Sequence, residues 1–228
     1  FAHSTPVSLG VFAADGNSVI TSTSSGVVWS WDVSSIYQER HLGKVHRGAV
    51  RAVAFSPDDS LIATAGQDGT ASLWNADTAE SVGQPMKHES WIRTLAFRPD
   101  GAMLATGGRD GKIRFWDPQS AQQLPGEISS RGFFSIAFSP DGTTILAGEN
   151  GPSHTSVWAQ EWDVETKLPV GNRLEHQKVV PAVAYSPDGR LCATSSNDQT
   201  TVLWDAKTGE QVAGPFAHAA AIRAVTFS

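Results

Sequence analysis

Short apolar runs separated by glycine, proline, aspartate and serine recur along the whole chain, and one stretch shows the pattern most clearly: His46 to Asn75, HRGAVRAVAFSPDDSLIATAGQDGTASLWN. Ala49 to Ser56 predicts a strand that is apolar on both faces, with Val50, Val53 and Phe55 interleaved with Ala52 and Ala54. Such a strand must be covered on both sides, and its alanines suit a crowded place where sheets converge. Pro57 to Ser60 reads as a turn, Leu61 to Ala65 as a second strand, Gly66 to Gly69 as a turn and Thr70 to Asn75 as a third strand. A weaker run, Ser81 to Met86, carries polar residues and a glycine, as a short outer edge should. The stretch therefore predicts four short strands.

The same pattern is written again and again, with a period near 43. The aromatic that ends the first strand recurs as Phe12, Phe55, Phe97, Phe138, Tyr185 and Phe227, and a Trp followed by Asp or Asn recurs as Trp31, Trp74, Trp116, Trp162 and Trp204. Nine residues before each aromatic stand His3, His46, His88, Ser129, His176 and His218. One array over 1–228 follows, with repeats at about 1–42, 43–85, 86–128, 129–173 and 174–215 and a partial sixth at 216–228. Repeat four departs from the pattern. Ser129 replaces its His, and GENGPSHTSVWAQ reads as a lengthened hairpin loop between its second and third strands.

Composition narrows the class. With 40% hydrophobic and 18% charged residues, 21 Gly, 12 Pro and 8 Trp, the chain suits a turn-rich all-β protein. The net charge is −6 and no Lys/Arg run occurs, the opposite of what a nucleic-acid or anionic-membrane binder needs, so neither partner is expected. The single Cys192 excludes an internal disulfide and a cysteine zinc site, which fits a reducing, cytoplasmic setting. No apolar run reaches the length of a membrane span.

Four-stranded repeats of this length, ending in Trp-Asp with a His about 28 residues earlier, resemble the WD-repeat family, whose fold is a β-propeller. The linker phrases GQPMKH, VGNRLEH and AGPFAH are similar to those of long bacterial WD-repeat arrays attached to kinases or signalling ATPases. The resemblance implies an all-β propeller of four-stranded antiparallel blades: five complete blades plus the first strand of a sixth, Ala221 to Phe227, within a larger propeller of about seven blades. An apolar strand left over in that way invites pairing with another chain, so self-association is expected. The resemblance also implies a buried hydrogen-bonded chain in each blade. Three repeats hold the full set: His46, Thr64, Asp68 and Trp74; His88, Thr106, Asp110 and Trp116; His176, Thr194, Asp198 and Trp204. Repeat one has Ser25 in the Asp place, and repeat four has Ala147 in the Thr place and keeps only Trp162, which predicts the softest blade.

The residues do not favour catalysis. His, Asp and a hydroxyl suggest a nucleophilic triad, but a catalytic centre is needed once and this constellation recurs. The histidines fall on different repeats without Cys partners, against a metal site. Gly107-Gly108-Arg109-Asp110-Gly111 joins strand to strand, so no helix start follows to hold phosphate. No cofactor is expected. What remains is surface. In the family, the residue opening the first strand and the residue before the turn Asp crowd the channel face, where partners commonly dock. Carried over, the opening site holds Ser8, Arg51, Arg93, Phe134, Pro181 and Arg223, and the second site holds Gln67, Arg109 and Asn197, with Trp91 beside Arg93. Arg and Trp dominate binding hot spots, and a basic aromatic patch on an acidic protein suits an acidic peptide or protein segment. The expected role is a non-enzymatic platform for such a partner. The alternative is a ligand-sensing regulatory domain of a larger signalling kinase or ATPase.

Overall fold

The computed structural model describes residues 6–33, 39–149 and 157–227, with the backbone alone for 39–41. All regular structure among them is strand, in five four-stranded sheets that each follow chain order and pair antiparallel. Sheet one comprises β1 (Val7–Phe12), β2 (Ser18–Thr23), β3 (Val27–Asp32) and β4 (Glu39–Lys44). Sheet two comprises β5 (Val50–Phe55), β6 (Leu61–Gly66), β7 (Thr70–Asn75) and β8 (Ser81–Lys87). Sheet three comprises β9 (Ile92–Phe97), β10 (Leu104–Gly108), β11 (Lys112–Trp116) and β12 (Gln123–Ser129). Sheet four comprises β13 (Phe133–Phe138), β14 (Thr144–Glu149), β15 (Val157–Asp163) and β16 (Pro169–His176). Sheet five comprises β17 (Ala182–Tyr185), β18 (Leu191–Ser195), β19 (Thr200–Asp205) and β20 (Gln211–Ala217).

Turn chemistry explains why these strands end where they do. In the Ser-Pro-Asp turn after β5, Ser56 Oγ donates to Asp58 at 2.6 Å and accepts from Leu61 N–H at 2.9 Å, which closes the β5–β6 hairpin. The same arrangement closes β13–β14 through Ser139 and Asp141 at 2.6 Å, and β17–β18 through Ser186 and Asp188 at 2.7 Å. Fourth strands run slightly beyond their expected ends because the third strand opens opposite them: Val27 pairs Lys44, Thr70 pairs Lys87, and Thr200 pairs Ala217. The stretch expected to open a sixth blade, Ala221 to Phe227, is not a strand. A lone extended segment has no ladder of hydrogen bonds to make it one.

The residues pack into two compact units, Phe1–Asp110 with Arg114–Pro125, and Gly111–Ile113 with Gly126–Ser228. In the first unit, one core joins sheets one and two through Ile20, Val28, Val50, Val53 and Ile62. A second joins sheets two and three through Leu73, Met86, Ile92, Leu95, Leu104 and Trp116. Alanines 63, 65 and 71 are fully buried there, because a larger side chain would hold the sheets apart. In the second unit, sheets four and five share Leu146, Val157, Leu174, Val180, Val183 and Trp204. The crowded first strands are neighbours, β1 with β5, β5 with β9, and β13 with β17. Residues 1–5, the 34–38 connection, the lengthened loop at 150–156 and residue 228 lie outside the described residues, and with them His3 and His154.

Candidate functional site

Three sheets carry a continuous polar chain in their interior. In sheet three, Trp116 Nε1 donates to Thr106 Oγ1 at 2.8 Å, Thr106 Oγ1 lies 2.8 Å from His88 Nε2, and His88 Nδ1 lies 3.1 Å from the Asp110 carboxylate. Sheet two repeats it with Trp74, Thr64, His46 and Asp68 at 3.2, 3.1 and 3.1 Å. Sheet five repeats it with Trp204, Thr194, His176 and Asp198 at 2.7, 2.7 and 3.2 Å. Because an indole only donates, the protons run one way: from Trp to Thr, from the Thr hydroxyl to Nε2, and from Nδ1–H to the carboxylate. That order requires a neutral imidazole. Burial lowers the pKa of His46 and of His176, outweighing the pull of Asp68 and Asp198. Burial would raise the pKa of Asp68, yet hydrogen bonds from the Arg47 N–H and the Thr70 hydroxyl and N–H hold it below the usual range. In sheet five the Thr200 hydroxyl and Gln177 N–H do the same for Asp198 against its burial. In sheet three, Arg114 reaches Asp110 at 2.7 Å from the Ser72-equivalent position of β11.

In two of these chains a glycine stands beside the imidazole, while sheet five has Ser196 in that place, its hydroxyl turned to Lys178 O at 2.8 Å. A Cβ at Gly66 would lie 2.7 Å from the His46 ring, and one at Gly108 2.7 Å from His88 Nδ1, both too close. Sheet four exchanges the pair. Glu149 stands in the Gly66 register, opposite Phe133 as Gly66 is opposite Val50, and fills the room the imidazole would take. Its carboxyl accepts from Trp162 Nε1 at 3.2 Å and from Ser130 Oγ. Burial raises the Glu149 pKa, against the opposing pull of the Ser130 and Trp162 hydrogen bonds and the Arg173 charge. The residue in the His position is thus Ser130, whose N–H donates to Gly111 O at 2.7 Å as His88 N–H donates to Gly69 O at 2.9 Å. Counting back from Phe138 had pointed to Ser129; the repeat is one residue shorter there. Sheet four therefore has a buried polar bridge of its own, where the sequence suggested none.

The strand-opening residues share a feature that the sequence did not reveal. Arg51 is skipped where Val50 pairs Gly66 and Ala52 pairs Ala65, and Arg93 is skipped where Ile92 pairs Gly108 and Thr94 pairs Gly107. Ser8 and Phe134 are skipped in the same way in β1 and β13. Each is the extra residue of a β-bulge, which turns its side chain out of the ladder. The residue before the turn Asp is tied to the same place, with Gln67 N–H donating to Ala49 O at 3.0 Å and Arg109 N–H to Trp91 O at 2.8 Å.

In the first compact unit these devices bring five side chains together. The Trp91 ring, 37% exposed, has the Arg109 guanidinium 5.4 Å and the Arg51 guanidinium 5.8 Å from its centroid. Gln67, with its amide oxygen turned to the guanidinium, accepts from Arg51 Nε at 3.0 Å. Burial lowers the Arg93 pKa, and the charges of Arg109 and Arg51 lower it further. Neither Arg51 nor Arg109 forms an ion pair with a carboxylate among the described residues. The arrangement is a polarised aromatic face ringed by positive charge. Phe134 and Arg223 belong to the second unit: Phe134 is half-buried at the β13 bulge, and Arg223 is exposed in the unpaired 221–227 stretch.

Other chemistry is sparse. Burial pushes the Cys192 thiol up to about 12, with the charges of Glu161 and Asp205 adding to it, so it is an inert packing group. No group of three His, Cys, Asp or Glu among the described residues is placed to hold a metal. A groove of about 570 Å³ lies at the other end of the strands, lined by Pro57, Asp58, Pro99, Asp100, Asp117 and Pro118. Hydrogen bonds from Ser56, Arg98 and Ser120 already hold its carboxyls below the usual range.

Sequential four-stranded antiparallel sheets, packed face to face with their first strands adjacent, define a protein of the β-propeller class. Within that class the chain carries WD repeats: the family described as "WD domain, G-beta repeat" matches residues 38–75, 80–117 and 169–205. Those segments end one residue past the Trp of the three sheets that hold the Trp-Thr-His-Asp chain, and each takes in the fourth strand of the preceding sheet. A guanine nucleotide-binding protein subunit beta of Zea mays is 27% identical over 80% of this chain and 40% of its own length. The small ribosomal subunit protein RACK1y of Oryza sativa subsp. japonica is 38% identical over 34% of this chain and 22% of its own. The chain spans less than half the length of these curated relatives. The crystal structure of the computationally designed Ika8 protein superposes with a TM-score of 0.81 at 22% identity, covering 99% of this chain and 66% of that one, a likeness of fold.

Proposed function

We propose that the chain is a non-enzymatic platform that docks an acidic segment of a partner protein on the channel-facing surface formed by Trp91, Arg51, Arg93, Arg109 and Gln67. The observation that carries this reading is the Trp91 ring with two guanidiniums within 6 Å of its centroid, neither of which forms an ion pair with a carboxylate among the described residues. Repulsion among the arginines makes the surface electrostatically unfinished, and a partner carboxylate relieves it with charge-assisted, bidentate hydrogen bonds. Trp91 supplies the apolar area of a hot spot. The bulges hold these groups on rigid strands, so little conformational entropy is lost on docking. The relatives support an interaction role, since both are named as parts of larger assemblies, a guanine nucleotide-binding protein and the small ribosomal subunit.

The test is an array of synthetic peptides graded in Glu and Asp content, probed with the labelled chain and with Trp91→Ala and Arg109→Ala variants of unchanged circular dichroism. Binding should rise with carboxylate content and fall about tenfold or more with either substitution. It should also weaken with salt. Equal binding of the variants, or a preference for lysine-rich peptides, would sink the proposal.

A further inference from the structure

The charge on the Trp91 surface is gathered around one ring. The Arg109 and Arg51 guanidinium carbons lie 5.4 and 5.8 Å from the same indole centroid, so both forks border a single spot. Arg93, two residues along from Trp91, adds its charge close by, where burial and the charges of Arg109 and Arg51 all oppose it. Gln67 sets the aim of Arg51. Its amide oxygen, in the turned orientation, accepts from Nε at 3.0 Å and from Nη2, which occupies one edge of the planar guanidinium and leaves the other edge, Nη1 with Nη2, for a ligand.

Such a concentration of positive charge selects among anions. A carboxylate brings one negative charge and two oxygens. Along an extended acidic segment neighbouring carboxylates point to opposite sides, and those on one side repeat at about 7 Å, so the segment spreads its charge along a line. A phosphate monoester brings about −1.5 to −2 charge and three acceptor oxygens to one point. Arginine matches it, since the fork meets two phosphate oxygens at once. A phosphorylated bilayer fits less well. The net charge of −6 is repelled by a continuously negative plane, whereas one phosphorylated side chain meets the patch alone.

We propose that the group this surface takes is a phosphorylated serine or threonine of the partner protein. Its oxygens are held between Arg51 and Arg109, Arg93 adds charge beside them, and the adjoining residue packs on the exposed part of Trp91. This rests on the docking role proposed above and specifies the group that docks.

Four degenerate peptide libraries, identical except that the fixed central residue is serine, glutamate, phosphoserine or phosphothreonine, are titrated against the labelled chain and against Arg51→Ala, Arg109→Ala and Arg109→Lys variants of native circular dichroism. A phosphorylated library should bind about tenfold or more tighter than the glutamate library, and either alanine substitution should remove that margin. Arg109→Lys should lose most of it too, as the charge remains and the fork does not. The margin should shrink as pH falls through about 6, where the phosphate takes up its second proton and arginine is unchanged. Equal binding of the glutamate and phosphorylated libraries overturns this proposal and leaves the acidic-segment reading standing. No binding to the phosphorylated libraries overturns it as well, and only a chain that also ignores the graded Glu and Asp peptides takes the docking reading with it. A margin that survives both alanine substitutions puts the phosphate elsewhere and is equally fatal. Binding to vesicles containing phosphorylated inositol lipids, without binding to the peptides, would put a bilayer in the partner's place.

Discussion

A single hydroxyl joins two buried groups in each polar chain. Thr106 accepts from Trp116 Nε1 and lies 2.8 Å from His88 Nε2, so its loss strands an indole N–H and an imidazole nitrogen where water does not reach. Thr106→Val preserves shape and removes only the oxygen. Each buried group left unpaired costs about 1–3 kcal/mol, so the variant should lose at least that much in a urea titration at unchanged slope. A loss of a few tenths would show that the chain is incidental. Trp74, Trp116 and Trp204 with their Thr, His and Asp partners were legible in the sequence, because four residue types at fixed offsets recur three times. Glu149 was not legible. It performs the His role from the glycine position, and no spacing rule connects those two places until the strands are paired.

At the level of the strand, hydrophobic pattern and turn residues were nearly sufficient. Runs read as Leu61 to Ala65, Thr70 to Asn75 and Ser81 to Met86 became β6, β7 and β8 to within a residue. The bulges at Arg51, Arg93 and Phe134 were invisible, since one extra residue in an apolar run looks like any other strand residue. They are nevertheless what turns those side chains outward. The five-residue grouping around Trp91 was legible only in outline: Arg51, Arg93, Arg109 and Gln67 gather there in one compact unit, whereas Phe134 and Arg223 belong to the other. Gly66 tests the element directly. A methyl there would overlap the His46 ring, and the ring is fixed at both nitrogens, so the hairpin cannot yield cheaply. Gly66→Ala should cost about 1–3 kcal/mol, read as a lowered unfolding midpoint, even though alanine suits a strand better than glycine. An unchanged midpoint would show that the imidazole can move.

Across the whole molecule, opposing buried groups set the response to acid. His46 and His176 have folded pKa values below the ordinary 6.5, so as pH falls through 6.5 the unfolded chain takes up protons that the folded chain resists, and stability is lost. Asp68 and Asp198 have folded values below 3.8, so their stabilisation is complete above 3.8 and disappears as pH falls through the folded values. Glu149 and Glu161 act in the other direction. Burial raises both above 4.5, so near neutral pH the folded chain carries carboxylates it would rather protonate, and stability returns as pH falls from the folded values towards 4.5. Each proton of difference changes stability by about 1.4 kcal/mol per pH unit. Glu149→Gln removes one offsetting group while its amide oxygen still accepts from Trp162 and its nitrogen still reaches Ser130. The variant should be more stable than the parent near neutral pH, and the advantage should shrink as the medium is acidified towards 4.5, where the parent's carboxyl is itself protonated. Urea midpoints of both chains across that range measure it. An advantage that widens on acidification would mean that the Glu149 charge is a net stabiliser, held by Ser130, Trp162 and Arg173 more strongly than burial opposes it.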